Sequence, residues 1–372
     1  MKKVSIISTI ILSAILLVSF IENSKDKTLR ETFKDHFYIG TAVNGWQLSG
    51  RDDKGLELIK TQFSSITAEN GMKFQSIHPE PEKFNFEFSD KLVQFGVDNN
   101  QFILGHTLAW HSQTPKWVFF KDSTLRTKDD LYKIMDDHIS TVVGRYKGRV
   151  GGWDVVNEAL NEDGTLRNSD YYKITDGDFI YKAFELAQKA DPDAELYYND
   201  YNMWNQDKVD GAVKLAKNVR AKGLKIDGIG MQGHWSLEFP SLELIESSIN
   251  KITDAGLKVM ITELDISVLP NPRNNEGAEI TDRVEYDKKF NPYIETLPDS
   301  MQQKLAKRYE DIFKLFNKHK ENITRVTLWG VTDSNSWKNN FPVRGRTDYP
   351  LLFGRDYQPK EAYYSVLKTV ED

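Results

Sequence analysis

Apolar positions along this chain follow two spacings that alternate. Short runs rich in Val, Ile and aromatic residues read as buried strands at 37–42, 64–68, 102–107, 152–156, 195–198, 228–232, 258–262 and 325–329. Between them lie stretches with apolar residues at helical intervals. Leu131, Ile134, Met135, His138, Ile139 and Val142 make one such face. Phe179, Ala183, Leu186 and Ala187 make a second, and Leu305, Tyr309, Ile312, Phe313 and Phe316 a third. Eight strands, each followed by a helix, predict an α/β protein: a single closed (β/α)8 TIM barrel with its active site at the C-terminal ends of the strands. No Pro-, Gly- or Ser-rich linker divides the pattern, so residues 25–372 read as one catalytic domain. The longest connection, 267–298, is charged and rich in Pro and Asn. It follows the seventh strand, and reads either as part of the functional face or as a solvated insertion.

Residues 1–24 stand apart. Lys2 and Lys3 precede an uncharged run from Val4 to Ile21, closed by Glu22, Lys25, Asp26 and Lys27. A basic start before an apolar core reads as an export signal, yet the run is also just long enough to span a bilayer as a retained anchor. The expected location is outside the cytoplasm, secreted, periplasmic or surface-attached. Membrane contact is expected only if this segment stays uncleaved.

Composition narrows the chemistry. Of 372 residues, 39% are hydrophobic and 28% charged, enough for a large core in a solvated shell. The net charge of −6 is spread without basic blocks, which argues against nucleic acid as a partner. The absence of cysteine removes disulfides, thiolate metal sites and cysteine nucleophiles together. The seven histidines form no H-E-x-x-H pattern, so no metal site is expected. There is neither a G-x-S-x-G elbow nor a glycine-rich phosphate loop.

What remains is concentrated where strands end. From the second strand to the eighth, apolar residues give way abruptly to carboxylates, amides, histidines and tryptophans. Examples are Glu69-Asn70-Gly71-Met72-Lys73, Asn157-Glu158, Gln232-Gly233-His234 and Glu263-Leu264-Asp265. In a barrel these groups converge on one cleft. Glu158 and Glu263 are the strongest reactive pair, and glycosidic cleavage requires such a pair. One carboxyl must be protonated to assist the leaving oxygen and the other ionised to meet the developing oxocarbenium ion, about 5–5.5 Å apart in a double displacement. Strand alternation puts Glu263 and Asp265 on one face, and Gln232 and His234 likewise. His234 would then hydrogen-bond Glu263 while Asp265 orients its ring, lowering the pKa of Glu263. The apolar neighbours of Glu158 should raise its pKa. Tryptophans at strand ends (Trp110, Trp235, Trp329 and Trp337) are expected to stack on sugar rings, with Trp46, Trp117, Trp153 and Trp204 left as core fillers.

Two motifs, Trp153-Asp154-Val155-Val156-Asn157-Glu158-Ala159 and Ile261-Thr262-Glu263-Leu264-Asp265, resemble the acid/base and nucleophile motifs of family 10 glycoside hydrolases, the endo-β-1,4-xylanases. The resemblance extends in order through Glu69-Asn70, Gly105-His106-Thr107, Asn199-Asp200-Tyr201, Gly230-Met231-Gln232 and Trp329-Gly330, then Trp337. It implies a retaining endo-1,4-β-xylanase with Glu158 as acid/base, Glu263 as nucleophile, and His234 and Asp265 supporting the latter. It assigns Glu69, Asn70, Lys73 and Gln113 to sugars on the non-reducing side. His106, Trp110, Asn157, Gln232, Trp329 and Trp337 fall to the sugar at the cleavage point, and Asn199 and Tyr201 to the reducing side. Substrates would be xylan and xylo-oligosaccharides, with no cofactor and no obligatory protein partner. A β-1,4-glucanase of a related barrel family and a non-catalytic xylan-binding protein are the alternatives. Pure binding would need only the aromatics and amides.

Overall fold

Eight parallel strands form where the apolar runs predict them: β1 (Tyr38–Val43), β2 (Ser65–Ala68), β3 (Phe102–Trp110), β4 (Gly152–Asn157), β5 (Glu195–Asp200), β6 (Gly228–Met231), β7 (Lys258–Ser267) and β8 (Ile323–Leu328). In this computed structural model, which describes residues 27–272 and 283–370, each strand pairs with its successor and β8 pairs back with β1. The barrel therefore has no free edge. Each strand is followed by a helix: α1 (Asp53–Gln62), α2 (Glu87–Asp98), α3 (Lys128–Arg145), α4 (Phe179–Ala190), α5 (Gln206–Ala221), α6 (Leu242–Asp254), α7 (Asp299–Lys318) and α8 (Glu361–Lys368). The predicted faces sit inside α3, α4 and α7. Leu305, Tyr309, Ile312, Phe313 and Phe316 of α7 are all buried against the sheet. Polar side chains cap α1, α3, α5 and α6, as where Thr127 Oγ1 accepts the Asp130 N–H at 3.2 Å. The expected export segment lies outside the described residues, as do residues 273–282 of the long connection. Among the described residues, no helix is long and apolar enough to cross a membrane.

Two strands run three residues or more past their predicted ends, and both extensions bear on the site. β3 continues to Trp110, pairing Trp110 with Asn157 of β4 after a register shift beyond His106. β7 continues to Ser267 because the chain after β6 returns to pair with it, with His234 opposite Asp265 and Ser236 opposite Ser267. Gly233 makes that return possible. Its φ of +85° is a conformation that side chains bearing a Cβ rarely adopt. The described part of the long connection packs on the loop after β8, with Val284 N–H donating to Pro342 O at 3.0 Å. It thus braces the segment that carries Trp337.

Away from the cleft, α3 buries His138 face to face on Phe74, ring centroids 3.7 Å apart, with His78 stacked nearby. No nitrogen of either ring hydrogen-bonds within the protein. Burial holds both below the ordinary histidine pKa of 6.5, His138 well below it. The unfolded chain therefore binds more protons below about pH 6.5, and stability falls as the pH drops through that value. The thermal midpoint should decrease from pH 7 to pH 5. His138→Phe should flatten the dependence by up to about 1.4 kcal/mol per pH unit. An unchanged slope by calorimetry would refute this assignment.

Candidate active site

The strand ends deliver both glutamates to one buried cluster. Glu158 follows β4 with φ +54°, its N–H donating to Asn199 O at 2.8 Å. Its carboxylate is held by two donors: Trp110 Nε1–H to Oε2 at 2.8 Å and Gln232 Nε2–H to Oε1 at 2.8 Å. These bonds favour the ionised form. Burial opposes them as the largest effect, and the nearby carboxylates of Asp200 and Glu263 add to it. The net result raises the Glu158 pKa to about 7.

Glu263, inside β7, is treated oppositely. Burial alone would raise its pKa. The His234 hydrogen bond, together with the His106, His234 and Lys73 side chains, outweighs burial and lowers it. His234 Nε2 lies 3.2 Å from Glu263 Oε2, and its Nδ1 lies 3.0 Å from Asp265 Oδ2. Although burial lowers it, Asp265 and Glu263 raise the His234 pKa, so the imidazolium is favoured between two carboxylates. Asp265 also accepts the Trp337 Nε1–H at 2.7 Å. That bond fixes Trp337 beside the His234 ring, with centroids 4.7 Å apart.

One amide links the two halves. Asn199 Nδ2 donates to Asn157 Oδ1 at 2.9 Å and to Glu263 Oε1 at 3.0 Å, while its Oδ1 accepts Thr262 Oγ1–H at 2.7 Å. Gly230 leaves room for it, since a Cβ there would stand 2.4 Å from Asn199 Oδ1. The expectation that Asn199 meets reducing-side sugars is therefore corrected. It is fully buried with every side-chain hydrogen-bonding group engaged, and it positions Glu263 instead.

The other residues expected at the site divide between cleft and core. Gln232 and His234 do not act together, because the Gly233 turn sends Gln232 to Glu158 and His234 to Glu263. Trp110 is buried, with Lys73 Nζ 4.9 Å over its ring, so its part is to hold Glu158 rather than to offer a stacking face there. Trp235 is a core residue packed against Phe316 of α7, which overturns its expected sugar contact. His106 Nδ1 bonds Asp154 Oδ2 at 2.9 Å, and its ring meets Trp329 edge to face. Lys73 Nζ donates to Asn70 Oδ1 at 2.9 Å, and Asn70 Nδ2 to Glu69 Oε1 at 3.3 Å. Burial depresses the Lys73 pKa, against the pull of Glu263, Glu69 and Glu158, and raises that of Glu69. Tyr201 is pinned by Arg167 at 2.7 Å, with Lys208 over its ring. Gln113 retains a buried Oε1 with no partner within the protein.

A cleft of about 870 Å3 joins Glu69, Asn70 and Trp337 to Trp46, which is 57% exposed. The expectation that Trp46 fills the core is thus wrong. Its signal was present: β1 also ends in a polar residue, Asn44, followed by Gly45 and Trp46. Asp200 was missed as well. Fully buried, it bonds Tyr198 and lies 3.0 Å from Lys208 Nζ, and its charge acts on Glu158. Among the described residues, no cluster of histidines and carboxylates could hold a metal ion.

The chain is similar to known proteins over most of its length. The family model for "Glycosyl hydrolase family 10" matches residues 28–369. The chain is 44% identical over 345 residues to "Endo-1,4-beta-xylanase A" of Xylanibacter ruminicola, covering 92% of this chain and 94% of that protein. It is 40% identical to "Beta-1,4-xylanase" of Dictyoglomus thermophilum, covering 92% and 90%. Among solved structures, a GH10 endoxylanase from a sugarcane soil metagenome superposes with a TM-score of 0.89 at 47% identity, covering 91% of this chain and 99% of that one.

Proposed function

The chain belongs to glycosyl hydrolase family 10, and from that premise we propose that it is an endo-1,4-β-xylanase, cleaving internal bonds of xylan by a retaining double displacement through Glu263 and Glu158. One observation carries the assignment of the two roles. Two carboxyls in one buried cluster have their pKa values pushed in opposite directions, Glu158 up to about 7 and Glu263 down. At neutral pH that leaves one proton donor and one anion, the pair such chemistry needs.

The residues then act in sequence. A Glu263 oxygen attacks the anomeric carbon as its bond to the leaving oxygen breaks, and the Glu158 proton passes to that oxygen. The resulting ester is opened by water, which gives a proton to the Glu158 carboxylate and attacks the same carbon as the Glu263 oxygen departs. Two inversions restore the β-configuration. His234 and Asn199 hold the Glu263 oxygens throughout, while Trp110 and Gln232 hold Glu158 between its two protonation states. Glu69, Asn70, Lys73 and Gln113 would meet hydroxyls on the non-reducing side. Trp329 and Trp337 would wall the cleavage point with His106 and Asn157, and Tyr201 would face the reducing side. The N-terminal apolar run supports export, either as a removed signal or as an anchor.

The test is product stereochemistry. Proton NMR during hydrolysis of a xylo-oligosaccharide should show the β-anomer first, followed by mutarotation. Initial α-anomer would remove Glu263 as nucleophile, and no cleavage of unbranched xylo-oligosaccharides would remove the xylanase assignment itself.

A further inference from the structure

The end of β1 carries an exposed indole at the rim of the cleft. Asn44 opens a single helical turn, Gly45–Leu48, that lifts Trp46 into solvent. The turn is firmly braced. Asn44 Oδ1 accepts the Trp46 N–H at 2.9 Å, and Gln47 Oε1 accepts the Asn44 N–H at 2.9 Å. Buried Gln47 donates on to Asp52 at 3.0 Å, and Asp52 also accepts Gly55 N–H at 2.9 Å and Asn335 Nδ2–H at 3.3 Å. A large indole held exposed on such a frame loses little freedom when it packs against a ligand.

Beside it stands Arg51, whose N–H donates to Trp46 O at 3.1 Å and whose guanidinium lies 5.5 Å from the Trp46 ring centroid. Among the described residues no carboxylate pairs with Arg51. Both side chains line the 870 Å3 cleft together with Glu69, the other charged residue among its described lining. Asn44 hydrogen-bonds Glu69, so this platform continues directly from the residues expected to grip a xylose.

We propose that Trp46 and Arg51 bind a uronic-acid-bearing unit of the polysaccharide, the sugar's C–H surface against the indole and its carboxylate on the guanidinium. An unpaired guanidinium in a fork geometry suits a carboxylate, and an aromatic neighbour suits a pyranose. The inference rests on the xylanase assignment and gives that cleft a preference for acidic branches.

The test compares three substrates with the full chain: an unbranched xylo-oligosaccharide, a glucuronate-substituted one, and the latter with its carboxyl reduced to an alcohol. Arg51→Gln should lower kcat/KM on the acidic substrate about five- to tenfold and leave the other two within about twofold. Arg51→Lys should recover part of the loss, because the charge returns without the fork. Trp46→Ala should lower kcat/KM on both branched substrates. High salt should erase the acidic preference of the unaltered protein, since an exposed ion pair is screened. For Arg51→Gln, equal losses on the acidic and reduced substrates, or none on either, would overturn the inference, as would a Trp46→Ala variant that loses nothing on either branched substrate. Failure of the unaltered protein to cleave the unbranched substrate would overturn the xylanase assignment and this inference with it, a result visible before any variant is made.

Discussion

Glu263→Ala should lower kcat/KM on xylan by at least about 10^4-fold, the scale of removing a covalent nucleophile. Its circular dichroism spectrum should be unchanged, because β7 is held by backbone pairing with β6 and β8 on either side of the lost side chain. His234 and Asn199 lose a shared acceptor, while Asp265 still holds the imidazole ring at 3.0 Å. A second consequence is electrostatic. The Glu263 charge helps raise the Glu158 pKa, so its removal should lower that pKa. Chemical rescue separates a lost nucleophile from a damaged fold. With a good aryl leaving group and added azide, the anion fills the vacated position and attacks the anomeric carbon directly. One inversion then yields an α-glycosyl azide. Near-normal xylan hydrolysis by this variant would end the assignment.

The barrel and both glutamates were legible because they depend on two periodicities. Period-2 alternation and apolar strand cores located the strands within a few residues. They also put Glu263 and Asp265 on one face, where His234 bridges them. Alternation failed where the backbone leaves the strand geometry. Gly233, at φ +85°, sends Gln232 and His234 to different glutamates, although their spacing is that of one strand face. Tryptophans were the other weak point. Whether a strand-end indole faces the cleft or the helix layer depends on pairing established only in the fold. Trp235 turned into the core beside Phe316, and Trp46 stood out on its capped turn. Asn199 was misjudged for a related reason. An amide at a strand end suits either a sugar hydroxyl or a neighbouring carboxylate, and only the room left by Gly230 shows that it is packed inward.

Glu158→Ala should behave differently from the Glu263 variant, in a way that depends on the leaving group. On xylan, where the departing sugar oxygen needs a proton, kcat/KM should fall about 10^2–10^4-fold. On an aryl glycoside with an acidic phenol the first step needs no such help. Formation of the glycosyl ester on Glu263 should then stay fast while its hydrolysis slows, and a burst of phenol should precede a slow steady rate. The pH profile should change too. In the unaltered enzyme kcat/KM on xylan requires Glu158 protonated, so activity should fall as pH rises through about 7. It should fall again in acid, as the Glu263 carboxylate, whose pKa is lowered from its ordinary value, gains a proton. The variant should lose the alkaline limb and keep the acidic one. Azide should accelerate its slow step by attacking the glycosyl ester, and two inversions then give the β-glycosyl azide. The same reagent must therefore produce opposite anomers from the two variants, and only the placement of Glu263 on one face of the sugar and Glu158 on the other yields that pair. A β-azide from the Glu263 variant with an α-azide from the Glu158 variant would exchange the two roles.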